Sequence, residues 1–274
     1  MNEGNMKKNV NVQPETPKPE IQPAPDQPTN NQEQIQGLPP YRKVLIGTPT
    51  IDGKVEAAYV ASLLDAKQYL ATQNIDLFPI FMAYDALIQR ARNDIIQLAV
   101  DSDVDDIVFI DSDIGWKPEQ LIRLLSHNVD LVGGTYRRRT DISEMYVLKI
   151  REIDKGINPN KDELLEVEGL GCGFMRMTRR CYRLLWEISE KYEDNSGKRN
   201  KMVFNLSIRD GIFTSEDISL CYKWQDLEEK VWLDPYITCT HTGMKVYEGD
   251  FMQWIKSLDL QKNVVRPLTG SDLL

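Results

Sequence analysis

Asp111, Ser112 and Asp113 follow the apolar run Ile107-Val108-Phe109-Ile110 without a break. Two carboxylates one residue apart therefore leave the C-terminal end of a predicted buried strand, the edge at which open α/β sheets bind ligands. Hard oxygen ligands of this kind suit Mg2+ or Mn2+, which take a few carboxylates together with phosphate oxygens. An Asp-rich turn closing a strand has the same composition. A second Asp-Ser-Asp, at 101–103, sits at a helix end with no apolar strand feeding it. Glu216-Asp217 is the next candidate. A carboxylate in reach of a hydroxyl can take its proton, and acidic residues after Ser215 equally suit the first turn of a helix. Gly169, Gly171 and Gly173 alternate around Cys172, a spacing that permits unusual φ and close backbone approach or a β-bulge. It is not a dinucleotide fingerprint, because Arg176 stands where the third glycine would be. Of the basic clusters, Arg137–Arg139 follows a strand end and suits a diphosphate or a charged acceptor. Arg176/Arg179/Arg180 and Lys198–Lys201 read as solvated surface.

The elements that must position these residues alternate at first. Lys43–Gly47 reads as a buried strand closed by a turn at Thr48-Pro49-Thr50. A helix over Val55–Thr72, a strand over Asp76–Phe81 and an amphipathic helix over Tyr84–Val100 follow. Asp106–Ile110 is the third strand, Pro118 opens a helix at its first position, and Asp130–Gly133 is the fourth strand. Such alternation with apolar strands implies a mostly parallel sheet covered on both faces. Beyond Gly134 the pattern becomes α+β. Short strands are expected at Tyr146–Ile150, Glu166–Glu168, Gly173–Met177, Met202–Leu206 and Lys230–Leu233. Helices are expected at Thr178–Lys191, from Ser215 to Trp224, and at Asp250–Leu258, with polar turns at Asp154–Asp162 and Asn195–Asn200.

Composition sets the outer limits. With 33 Lys+Arg against 42 Asp+Glu and a net charge of -9, a uniformly basic nucleic-acid binder is excluded. No apolar run reaches a membrane span and no apolar leader opens the chain, so a cytoplasmic protein is expected. The four cysteines form no CxxC pair and read as reduced thiols rather than a disulfide framework or a zinc ribbon. Residues 1–40 hold eight of the fourteen prolines and no aromatic residue. Such a stretch cannot bury enough apolar surface to offset its ordering entropy, so it reads as a disordered tail before a single domain at 41–274.

The pieces VLIGTPT (44–50), ARND (91–94), FIDSDIGWKPEQL (109–121), DLVGGTYRRR (130–139), EGLGCGFMRM (168–177), TSEDISLC (214–221) and CTHTG (239–243) together resemble a GT-A glycosyltransferase. This is the nucleotide-sugar-dependent kind with a DxD motif, and the chain is most similar in feel to small bacterial and phage members and to a fungal mannosyltransferase type. The resemblance implies a Rossmann-like GT-A sheet flanked by helices with an α+β acceptor-side half. It implies base and ribose contacts at Thr48 and Pro49, and nucleotide or diphosphate contacts at Arg92 and Asn93, which a solvated helix face would equally explain. Asp111, with Ser112, would meet the ribose and the metal, and Gly171 and Gly173 would lie near the donor sugar. Asp113 and a late histidine, His241, would complete a Mn2+ or Mg2+ site with Asp111, whereas His127, at a helix end, reads as structural. Trp116 lines the sugar site or simply packs. Asp217 would be the catalytic base and Glu216 would position the acceptor. The implied activity is sugar transfer to an acceptor hydroxyl, on a glycan or on a hydroxymethylated base of phage DNA. The alternatives are a nucleotidyltransferase that makes a nucleotide sugar and a non-catalytic nucleotide- or carbohydrate-binding module.

A chain beginning at Pro40 is expected to melt at the temperature of the full chain in a calorimetric scan; a drop of several degrees would show that the first forty residues pack on the domain.

Overall fold

The computed structural model describes residues 40–141, 143–150, 160, 162–194 and 197–257. The expected tail, and most of the turn expected at Asp154–Asp162, lie outside the described residues. The chain runs β1 (Arg42–Thr50), α1 (Ala57–Ala71), β2 (Ile75–Ala83), α2 (Ile88–Ser102), β3 (Asp106–Ile110), β4 (Ile114–Gly115), α3 (Pro118–Ser126) and β5 (Leu131–Tyr136). It continues through β6 (Leu148–Lys149), β7 (Leu165–Val167), β8 (Gly169–Leu170), β9 (Phe174–Thr178), α4 (Arg179–Ile188), β10 (Lys191–Glu193) and β11 (Arg199–Lys201). The last elements are β12 (Ser207–Arg209), β13 (Ile212–Thr214), α5 (Glu216–Gln225), β14 (Val231–Thr242), β15 (Val246–Tyr247) and α6 (Phe251–Ser257).

The central sheet has the order β15-β14-β5-β9-β3-β1-β2. β1 pairs in parallel with β2 and β3, and β14 in parallel with β5, while β9 runs antiparallel between β3 and β5. The fold is thus the expected α/β class, a mostly parallel sheet flanked by helices. Alternation along β3 shows how it is covered. Ile107 and Phe109 pack into one apolar cluster with Ile95 of α2, Tyr182 of α4, Trp224 of α5 and Phe251 of α6. Val108 and Ile110 pack into the other, with Tyr59 of α1 and Leu121 of α3. Successive side chains point to opposite faces, so a strand whose last four residues are all apolar must be buried on both sides. All four cysteines are free and buried. No helix among the described residues is long and apolar enough to cross a membrane.

Several boundaries differ from the sequence pattern for identifiable reasons. The turn expected at Thr48-Pro49-Thr50 is strand, because these residues continue the parallel register opposite Phe81, Met82 and Ala83. Helix α2 starts at Ile88 rather than Tyr84, since Tyr84 has φ 65°, outside the helical region. Met202–Leu206 carries no strand; its backbone is held by side chains instead, with Lys223 Nζ donating to the Met202 and Val203 carbonyls at 2.6 and 2.9 Å. Strand β14 is 12 residues long where four were expected, because it switches partner along its length, from β5 and β7 to β4.

Arg176 corrects the reading of its cluster as solvated surface. It is 4% exposed, donates through Nε to Asp106 Oδ1 at 2.7 Å and through Nη1 to the His127 carbonyl at 2.8 Å. Arg42 Nε takes the other Asp106 oxygen at 2.5 Å. His127 is structural as expected: its Nε2 meets the fully buried Asp234 at 2.7 Å, beside Arg123 Nε at 2.5 Å. Removing one partner of a buried ion pair leaves an uncompensated charge. Asp106→Asn is therefore expected to cost about 3 kcal/mol in urea unfolding, whereas a loss below about 0.5 kcal/mol, the range of ordinary surface changes, would show that the pair is not needed.

Candidate functional site

The site is assembled at the C-terminal end of β3. After Ile110 the chain turns through Asp111-Ser112-Asp113, with the Ile114 N–H donating back to the Asp111 carbonyl at 3.1 Å. The turn is fixed from both sides. The Asp111 N–H donates to the Gly173 carbonyl at 3.2 Å, and the Ser112 carbonyl accepts from the Glu56 N–H at 2.9 Å. Strand β4 then pairs with the far end of β14, placing Ile114 opposite His241. The Thr242 N–H donates to the Asp113 carbonyl at 2.8 Å. This pairing carries a histidine from late in the chain to the acidic turn.

His241 Nε2 lies 3.4 Å from Asp113 Oδ2. Its Nδ1 lies 2.9 Å from the Arg137 carbonyl. A carbonyl only accepts, so Nδ1 carries a proton, and Nε2 either donates a proton to Asp113 or, without one, is the nitrogen left for a cation. Arg139 Nη1 also reaches Asp113 Oδ2, at 2.9 Å. Burial alone pushes the Asp113 carboxyl up, but the His241 hydrogen bond and the charges of His241 and Arg139 outweigh it and hold the group below its ordinary value.

Arg92 sits behind the turn, 2% exposed. Its Nη2 donates to Asp111 Oδ1 at 2.8 Å and its Nη1 to Glu216 Oε1. Its Nε is buried with no partner among the described residues. Burial pushes the guanidinium down, yet the surrounding carboxylates of Asp111, Glu216 and Asp217 reverse this, and its pKa is raised. Burial also pushes Glu216 up, and Asp217 and Asp111 add to the rise while Arg92 opposes it. The two acids occupy the first turn of α5 with Ser215 at its N-cap, where the helix dipole favours negative charge. Asp217 Oδ1 accepts from the Ser215 hydroxyl and from the Ile218 N–H at 2.8 Å.

Of the expected metal set, Asp113 and His241 come together, while Asp111 Oδ1 is turned toward Arg92. Among the described residues no three His, Cys, Asp or Glu side chains form a group able to hold a metal. The Asp113 and His241 pair fits a hard divalent ion as a partial donor set: one carboxylate oxygen and one imidazole nitrogen with its tautomer fixed. Arg92 and Asn93, read as a solvated face or as ligand contacts, are both buried. Asn93 is committed at both ends of its amide to Phe204, with Nδ2 donating to the carbonyl at 3.0 Å and Oδ1 accepting from the N–H at 2.7 Å. Thr48 is likewise buried, its hydroxyl 2.6 Å from Tyr59 Oη, and Pro49 lies within the strand. Burial pushes Tyr59 up to about 12, with nearby Asp111 adding to the rise. Trp116 is buried edge-on against Tyr59.

Neither Gly171 nor Gly173 has positive φ. Their role is space: a Cβ on Gly171 would come within 2.7 Å, and one on Gly173 within 2.5 Å, of the Tyr136 side chain. Tyr136 Oη accepts from the Gly173 N–H at 3.1 Å and its ring stands edge-on to His241 at 5.1 Å. No sequence pattern points to Tyr136, which is far from these glycines in the chain and meets them only through the fold. Thr50, the last residue of β1, is likewise absent from the expected site, and its hydroxyl is buried without a partner among the described residues.

No protein-family model and no curated protein matches this sequence. Among solved structures the chain is similar to A197 from STIV, at 15% identity and a TM-score of 0.45 over 84% of this chain and 99% of that one. It is also similar to the inositol-1-phosphate CTP transferase from T. maritima, at 10% identity and a TM-score of 0.38 over 80% and 97%. A third is a putative glucose-1-phosphate thymidylyltransferase from Bacillus anthracis in complex with a sucrose, at 7% identity and a TM-score of 0.37 over 82% and 98%.

Arg92→Met would leave Asp111 and Glu216 without their shared cation. It is expected to cost about 3 kcal/mol at pH 7. The loss should shrink as pH is lowered, because removing Arg92 takes away the charge that opposes the rise of the Glu216 pKa, so Glu216 of the folded variant takes up its proton at a higher pH than in wild type and no longer needs a cation. Urea unfolding at pH 7 and pH 5 checks both; a loss that is constant between the two would show that Glu216 does not need Arg92.

Proposed function

We propose that the chain is a metal-dependent glycosyltransferase that moves a sugar from a nucleoside-diphosphate sugar to an acceptor hydroxyl. The observation that supports this is the convergence of three distant segments on one sheet edge: the acidic turn after β3, the His241 end of β14 and the acidic start of α5, with Arg92 joining the first to the third. Asp113 and His241 would hold Mn2+ or Mg2+. When bound, such an ion neutralises charge on the departing diphosphate. The donor's base and ribose lie at the C-terminal end of β1, where the Thr50 hydroxyl awaits a partner, and Asp111 faces the ribose. Arg92 serves by holding the two carboxylates, and Gly171 and Gly173 by seating Tyr136 behind the turn.

The two acids of α5 divide the work. Glu216 is tied to Arg92 and positions its surroundings. Asp217 spends Oδ1 on local hydrogen bonds, and Oδ2 has no hydrogen bond among the described residues. Asp217 is therefore the base: it takes the proton of the acceptor hydroxyl as the new C–O bond forms at the sugar and the bond to the diphosphate breaks. The acceptor class is a glycan hydroxyl, with the hydroxymethyl group of a modified DNA base as the other substrate of the same chemistry.

The test is incubation with a panel of nucleotide sugars and Mn2+, following release of nucleoside diphosphate and transfer to glycan acceptors. Asp217→Asn is expected to lose about 100- to 10,000-fold in transfer with donor affinity by calorimetry unchanged. Release of pyrophosphate from a nucleoside triphosphate and a sugar phosphate, with no turnover of nucleotide sugars, would replace this reading with a nucleotidyltransferase.

A further inference from the structure

The Asp113 oxygen that faces His241 is already engaged. Arg139 Nη1 donates to it at 2.9 Å and to the Thr242 carbonyl at 3.3 Å. A guanidinium thus sits on the carboxylate oxygen that a divalent ion shared with His241 would use. The pose is accommodated by the backbone: a Cβ on Gly243 would come within 2.8 Å of Arg139 Cδ, so the glycine after Thr242 leaves room for the arginine stem. The other members of the cluster are held in place. Asp113 accepts the Thr242 N–H through its own carbonyl, and His241 is tied to the Arg137 carbonyl. Arg139 differs in that half of its side chain is exposed, against 22% for Asp113 and 12% for His241, so it can leave while they stay.

We propose that Arg139 is an internal, displaceable cation that closes the Asp113 and His241 pair to free metal ions and withdraws when a phosphate-bearing ligand draws its guanidinium away. This rests on the assignment of that pair as the metal ligands. Two cations cannot share one carboxylate oxygen without strong repulsion at contact distance. A phosphate offers the displaced guanidinium an alternative seat, because its oxygens match the planar fork of arginine bidentately. The consequence is coupling. Metal and anionic ligand bind together, each raising the affinity for the other, and the metal alone binds weakly.

Mn2+ binding without nucleotide, read by the electron paramagnetic resonance of the free ion, tests this on the full chain. Arg139→Gln is expected to bind Mn2+ about tenfold more tightly than wild type. Arg139→Lys, which keeps the charge, should stay close to wild type. Gly243→Ala, which pushes the arginine stem aside, should shift in the same direction as Arg139→Gln. The gain should vanish in Arg139→Gln/Asp113→Asn. If Arg139→Gln binds no more tightly while Asp113→Asn weakens binding, the pair holds the metal but Arg139 does not close it, and the proposal fails alone. A gain that survives Asp113→Asn places the ion elsewhere, and the metal assignment falls with the proposal.

Discussion

The bridge from Asp111 through Arg92 to Glu216 is the interaction on which the rest of the site depends. Burying a guanidinium costs several kcal/mol unless its charge is met with good geometry, and one carboxylate would leave half of the planar fork unpaired. Two carboxylates from different elements meet it, one from the turn after β3 and one from the first turn of α5. The pairing fixes the distance between segments over a hundred residues apart in sequence. It also leaves an imbalance: Asp111, Glu216 and Asp217 surround a single cation, so the cluster retains negative charge beside the Asp113 and His241 pair. That excess favours a bound cation and opposes a bare phosphate, which is the electrostatic setting expected of a site that takes its anionic ligand together with a metal.

The sheet makes this possible by treating β14 as two strands in one. As far as Cys239 it completes the parallel sheet beside β5, its register shifting between Leu233 and Thr238. Thr240 and His241 then pair with the two residues of β4. Tyr136, at the end of β5, fills the space between the glycine segment and the His241 ring. The supports of the acidic turn are therefore main-chain hydrogen bonds and one aromatic ring lying on glycines, all rigid elements, while the group free to move is the half-exposed Arg139.

Much of this was legible in the residues. The Asp106–Ile110 strand agrees with its pattern to the residue, because an unbroken apolar run before two aspartates has few other solutions. The α/β class followed from the alternation of such runs with helical spacing. Pro118 opening a helix and Ser215 preceding one were read from capping chemistry, which is local. What stayed hidden was long-range. Asn93 and Arg92 look like polar residues on a solvated face until the segment around Phe204 is laid over them. Arg176 looks like one more surface arginine until Asp106 and Arg42 are brought beside it. Gly171 and Gly173 suggested conformational freedom, whereas their neighbour Tyr136 shows that they supply space. The partner in each case lies far away in sequence, where neither periodicity nor composition reports it.

The position of a bound divalent ion is the most direct test of the site. Crystals soaked with Mn2+ and a nucleoside diphosphate, measured at an X-ray energy where manganese scatters anomalously, locate it without reference to activity. One strong peak is expected within coordination distance of Asp113 Oδ2 and His241 Nε2, with Arg139 moved off that oxygen and Arg92 still bridging Asp111 and Glu216. A peak elsewhere, or an Arg139 still seated on Asp113 with nucleotide and manganese bound, would contradict this expectation.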